Sequence, residues 1–207
     1  MKTLKVAWFF LGLGLVCSGG CSTAYQGQLK EGDIMFQDLP CSQSAAIKAA
    51  THSPYSHVGM IFLVKGKAFV YEAVGPVKST SLKDWIAQGE GSHFVARRLK
   101  NGDKVLTPGV LQKMEEVAKG FKGKAYDWTF QWSDDEMYCS ELVWKIYQRS
   151  TGLEIGRLQK LKEFDFSNPA VQEQLKEKYG EQVPWNEPVI SPAQMFNSDL
   201  LKTVEIK

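Results

Sequence analysis

The sequence predicts an α+β fold in one domain behind a short leader. Three observations carry this. Short runs of strand composition, separated by turn residues, fill the first half. Amphipathic helical stripes gather around the later cysteine, and no linker or repeat divides the chain. The 207 residues are 43% hydrophobic and 23% charged, enough to bury one real core. Net charge is +2 with acids and bases interleaved. That leaves no basic stripe for nucleic acid and no acidic tail for a charged partner.

Residues 1–24 form the leader. Lys2 and Lys5 precede the apolar run Ala7 to Val16, and small residues follow from Ser18 to Ala24. This is a secretory layout, too short to span a membrane, and its rival is a buried N-terminal helix. Two cuts stay open. Ser18-Gly19-Gly20-Cys21 resembles a lipoprotein box with Ser where Leu is usual, and Ser22-Thr23-Ala24 offers an ordinary cut before Tyr25. The mature domain is then 25–207, exported to the periplasm or cell envelope and anchored by lipid if Cys21 is retained.

Within the domain, Glu31-Gly32-Asp33 is a turn into a strand through Phe36. Ser42 to Ala50 is Ala-rich and predicts a helix capped by Ser42. His57 opens a strand through Val64; Lys65-Gly66-Lys67 turns the chain, and Ala68 to Ala73 returns as a hairpin. Ser81 with Asp84 starts a helix around Trp85, and Phe94 to Leu99 is another strand. Thr107-Pro108 opens a helix with an apolar stripe, which Gly120 ends. Cys139 begins a helix to about Ser150, with Gly152 beyond it. Leu161 to Tyr179 is charged, partly helical and outside the chemistry, and Ser191-Pro192 opens a last short helix.

Leu142, Val143 and Ile146 share a helical face with Cys139, which therefore points inward from a helix start. The free N–H groups and positive dipole end there favour a thiolate and suit an oxyanion. The plain alternative is a buried structural cysteine. His57 stands at a strand mouth, where Gly59 leaves room for a partner or substrate. His52 and His93 have less supportive surroundings. If Lys65 and Gly66 form a two-residue loop, Glu72 falls opposite Gly59 on the face of His57 and can orient its imidazole. A three-residue loop would turn Glu72 away, leaving a solvated carboxylate. Metal chemistry fits poorly, since there is no CxxC and no HxxxH. Asp134, Asp135 and Glu136 read as a solvated run. Of four cysteines, Cys41 and Cys139 survive either cut, and a disulfide between them is the rival to a catalytic Cys139.

Together, Gly32-Asp33-Ile34, Tyr55-Ser56-His57-Val58-Gly59, Tyr71-Glu72-Ala73, Tyr126-Asp127 and Tyr138-Cys139-Ser140-Glu141 resemble the YiiX-like family. That family is a branch of the circularly permuted NlpC-type, papain-like cysteine hydrolases. The permutation accounts for a histidine that precedes the cysteine. The resemblance implies a small antiparallel sheet or barrel packed on helices, with the nucleophile at a helix start. It implies Cys139 as nucleophile, His57 as base, Glu72 as third member, and Tyr138 and Tyr126 as substrate-binding positions. No cofactor is implied. The implied substrates are amides or esters, including peptides and cell-wall fragments, and some permuted relatives transfer acyl groups between lipids. An apolar stripe beside the cleft would mark such a lipid-directed acyltransferase, and the sequence shows none. A non-catalytic binding module with Cys139 held structurally is the other alternative.

Overall fold

The computed structural model describes Tyr25 and residues 27–206, so the leader and Cys21 lie outside the described residues. The first strand, β1 (Ile34–Gln37), is buried along its whole length. Helix α1 (Ser42–Thr51) follows, then the hairpin of β2 (His57–Val64) and β3 (Lys67–Glu72), then β4 (Lys78–Ser81) and α2 (Leu82–Gln88). After β5 (Val95–Leu99) come the single turn α3 (Gly102–Val105), α4 (Pro108–Phe121) and α5 (Cys139–Thr151). The last part holds β6 (Gln159–Lys160), α6 (Pro169–Tyr179), β7 (Pro188–Val189), α7 (Pro192–Phe196) and β8 (Leu201–Thr203).

Six strands form one sheet in the order β4-β3-β2-β1-β5-β8, and every pairing is antiparallel. Strand alternation sends Ile34, Phe36, Val58 and Met60 to one face, where they pack with Leu142, Val143 and Ile146 of α5. Met35, Ile61 and Val70 point to the other face, covered by Leu82 and Trp85 of α2. The antiparallel sheet packed on helices is the expected α+β class.

The hairpin loop is two residues, Val64 pairing with Lys67, and Lys65 and Gly66 both adopt positive φ (51° and 76°). Gly59 is opposite Glu72 in the resulting register, as Met60 pairs with Tyr71. The space at Gly59 goes to the sheet rather than to a substrate: an added Cβ would meet Val70 Cγ1 at 2.4 Å and Tyr71 O at 3.1 Å. Two helix ends also differ from expectation. Cys41 rather than Ser42 is the N-cap of α1. Helix α4 continues past Gly120 to Phe121, whose buried ring anchors one more residue than the glycine would favour. The polar strand β4 and the short β8 had no sequence signal; both are sheet edges, held by pairing rather than by an apolar pattern.

Candidate active site

His57 is the first residue of β2, facing Gln37 of β1. The chain is fixed just before it. Ser56 Oγ donates to Asp38 Oδ1 (2.7 Å) and accepts from Leu39 N–H (3.0 Å). His57 and Glu72 are 3% and 0% exposed, so each polar group needs a partner inside the protein. They supply it to each other, with His57 Nε2 and Glu72 Oε2 at 2.7 Å. Thr80 Oγ1 donates to Glu72 Oε1 (2.5 Å) and Gln88 Nε2 to Oε2 (3.0 Å). Burial alone would raise the Glu72 pKa. The bonds from His57, Thr80 and Gln88 outweigh it and hold the carboxyl below its ordinary range.

Cys139 opens α5 and is 4% exposed. It lies in hydrogen-bonding range of the His57 imidazole, and because Nε2 is turned to Glu72, the nitrogen left for the thiol is Nδ1. Burial lowers the His57 pKa, but bonding and charge from Cys139 and Glu72 reverse this and push it up to about 9. An imidazole so placed holds a proton between a carboxylate and a sulfur at neutral pH. Tyr138, the N-cap of α5, makes no side-chain cap, leaving first-turn N–H groups open towards Cys139. Cys41 and Cys139 are both free thiols. Cys41 is exposed and its Sγ lies 3.1 Å from Ser44 Oγ.

A cavity opens beside Cys139, and both expected tyrosines line it. The Tyr138 hydroxyl accepts from Ile190 N–H (3.2 Å), and its ring meets Phe130 edge-on at 5.2 Å, so it presents its ring rather than its hydroxyl. Burial, with Cys139 and Asp127 nearby, pushes the Tyr126 phenol well above its usual pKa. Gln43 also lines the cavity, where its side chain lies in hydrogen-bonding reach of the Tyr126 phenol and opposes the rise that burial causes. Sequence reasoning missed Gln43, since a glutamine in an Ala-rich helix carries no signal of its own. It also set Leu161 to Tyr179 outside the chemistry, whereas Leu161, Val171, Leu175 and Tyr179 all line the cavity. Helix α6 docks on α1 and swings this segment over Cys139. Val171, Leu175 and Tyr179 recur every four residues, a stripe that could have revealed it.

Residues 28–205 match the family described as permuted papain-like amidase enzyme, YaeF/YiiX, C92 family. The chain belongs to that family. It is 50% identical over 181 residues to the uncharacterized protein YiiX of Escherichia coli (strain K12), covering 87% of this chain and 88% of that one. It also superposes with a TM-score of 0.82 on the crystal structure of metalloprotein YiiX from Escherichia coli O157:H7. The identity there is 51%, over 87% of this chain and 98% of that chain. Among the described residues no group of three or more His, Cys, Asp or Glu side chains could hold a metal, so the residues present do not fit a metal centre.

Several motif residues of this permuted papain-like amidase serve the frame rather than the cavity. Asp33 receives a two-pronged bond from Arg98 (2.7 and 2.6 Å), tying the start of β1 to β5. Tyr147 of α5 donates to Gly32 O, where φ is 84° and a Cβ would meet Leu106 Cδ1 at 2.7 Å. Ser140 Oγ donates to Ile190 O (2.8 Å). Glu141 pairs with Lys145 (2.7 Å), and burial raises its pKa to about 7 although Lys145 opposes the rise. Asp134, in the run read as solvated, keeps a side chain 48% exposed while bonding Lys145 and Arg149, and Arg149 leads the causes that lower its pKa to about 2.

Proposed function

We propose that this chain is an exported cysteine hydrolase that opens an amide or ester bond through a thioester on Cys139. The observation that carries the reading is the buried His57–Glu72 pair beside a free thiol at an uncapped helix start, in the wall of a cavity. Glu72 fixes the Nε2–H tautomer, so His57 Nδ1 takes the proton of Cys139 Sγ. The thiolate adds to the carbonyl carbon, and the C=O electron pair moves onto oxygen. The Cys139 N–H, at the open start of α5, is the donor suited to hold that oxyanion. When the adduct collapses, the leaving nitrogen or oxygen departs with the proton from Nδ1. Water then gives a proton to Nδ1 as its oxygen attacks the thioester, and the carboxylic acid leaves as Cys139 regains its proton.

The test is mass spectrometry after an activated ester, with iodoacetamide labelling compared at the two cysteines across pH. Cys139 acylates, and it alkylates much faster than Cys41 in the native fold. Labelling of Cys139 no faster than Cys41, with no acyl adduct, would return the chain to a binding module. Export rests on the basic, apolar and small-residue order of residues 1–24. Intact mass from the cell envelope should show a start at Cys21 with lipid or near Tyr25 without it; a full-length cytoplasmic chain would refute export. The triad treats a peptide, a cell-wall fragment and an acyl lipid alike.

A further inference from the structure

The His57 imidazole must meet Cys139 and Glu72 at once, yet it hangs on the first residue of β2, and strand ends are held by the fewest bonds. The four residues before it, 53–56, belong to no helix or strand. What fixes this end is a knot of bonds centred on Asp38, the residue just beyond β1. Ser56 N–H donates to Gln37 O (3.2 Å). Ser56 Oγ donates to Asp38 Oδ1 (2.7 Å) and accepts from Leu39 N–H (3.0 Å). The second carboxylate oxygen, Oδ2, takes Lys48 Nζ of α1, whose neighbour Ile47 walls the cavity. Asp38 O accepts from Glu90 N–H (2.8 Å), beyond α2. One residue thus fastens β1, α1, the segment after α2 and the entrance to β2.

Ser56 is 4% exposed. A hydroxyl so buried holds its rotamer while its acceptor is present, and is left unpaired when the acceptor goes. Asp38 is not among the residues that line the cavity, so it does not touch substrate. Nor does its charge act on the imidazole, since Cys139 and Glu72 are the groups that raise the His57 pKa. Its reach to His57 is through Ser56 and one peptide bond. That is enough, because a misplacement of about 1 Å can cost about 100-fold in rate. We propose that Asp38 is a positioning residue for the reaction: through Ser56 it sets the entrance of β2 so that His57 Nδ1 faces Cys139 while Nε2 stays on Glu72. Lys48 ties the same carboxylate to α1, so the imidazole and the cavity wall keep one spacing. This rests on the cysteine-hydrolase reading above and adds to it a residue outside the cavity.

The experiment measures kcat and KM on p-nitrophenyl acetate for the wild type, Asp38→Ala, Asp38→Asn, Ser56→Ala and the double variant Asp38→Ala with Ser56→Ala. NMR titration gives the His57 pKa of each, and circular dichroism selects the variants that fold. Asp38→Ala lowers kcat about 10- to 100-fold and moves KM less than about threefold. Its His57 pKa falls below the native value of about 9, a change that loss of stability alone does not make in the folded molecules. Asp38→Asn keeps an oxygen for the Ser56 hydroxyl and returns kcat to within about threefold of wild type. Ser56→Ala matches Asp38→Ala, and the double variant falls no further than either, because the two residues act in series. Where Asp38→Ala does not fold, Ser56→Ala takes its place with the same limits. A kcat within about twofold of wild type in the folded variant, no gain from Asn over Ala, or losses that multiply in the double variant overturns the proposal and leaves the hydrolase standing. A wild type that turns over no ester overturns the hydrolase reading, and the titration alone then decides whether Asp38 places His57: an unmoved His57 pKa in the folded variant shows that it does not.

Discussion

The β2–β3 hairpin and helix α6 both border Cys139, yet they are built on opposite terms. The hairpin brings His57 and Glu72 into the interior, and their side chains are tied to neighbours: His57 to Glu72, and Glu72 to Thr80 and Gln88. Helix α6 lies over the cavity with a thin apolar stripe, is mostly exposed elsewhere, and has one fully buried side chain, Val171. The first arrangement is rigid because buried polar groups tolerate little displacement. The second gives up carbon surface and few fixed bonds. On the proposed reading, reactivity belongs to the hairpin and contact with the substrate to the helix.

The largest effects should fall on the hairpin side. Cys139→Ala should lower kcat/KM on an activated ester by at least ~10³-fold while Cys41→Ala stays within about twofold of wild type. Equal losses would break the assignment of the chemistry to the α5 start. Glu72→Gln should keep the fold yet cut kcat by roughly 10- to 100-fold, because a neutral partner no longer supports the imidazolium. NMR titration of that variant should find the His57 pKa below the value of about 9 in the native site. An unmoved pKa would show that Glu72 only fills space.

Stability sharpens the same contrast. Gly59→Ala should cost about 1–3 kcal/mol, because its methyl meets Val70 and the β3 backbone inside a closed pairing. Leu175→Ala on the half-buried face of α6 should cost less, about 1 kcal/mol. Chemical denaturation of the two variants would measure both, and a reversed order would mean that the helix, not the hairpin, is the rigid wall.

The pH dependence is the smallest effect. The folded His57 pKa of about 9 lies above its ordinary value of about 6.5. The bonding of His57 therefore stabilises the fold fully below about pH 6.5, and this contribution fades as pH rises through 9. Between pH 7 and pH 10 the wild-type Tm should fall a few degrees further than that of His57→Gln. Parallel melting curves would remove the imidazolium from the account.

The sequence by itself determined the elements that hold the reactive groups. The turn Lys65-Gly66-Lys67, with strand composition on either side, gave the β2–β3 hairpin and narrowed its register to two choices, and the two-residue loop seen in the structure puts Glu72 on the face of His57. Apolar residues three, four and seven positions after Cys139 turned it inward. These are local rules, since backbone geometry fixes which side chains share a face over a few residues. Tertiary structure alone decided the cavity. Gln43 precedes Cys139 by almost a hundred residues, and α6 follows it at a distance, yet both reach the same wall. The stripe of Val171, Leu175 and Tyr179 states that a helix face is to be buried, not against what. Nor does any local pattern show that Ser140 turns its hydroxyl to Ile190 O, 50 residues along the chain. That orientation depends on which distant carbonyl lies nearest once the chain has folded, and packing settles that over the whole molecule at once.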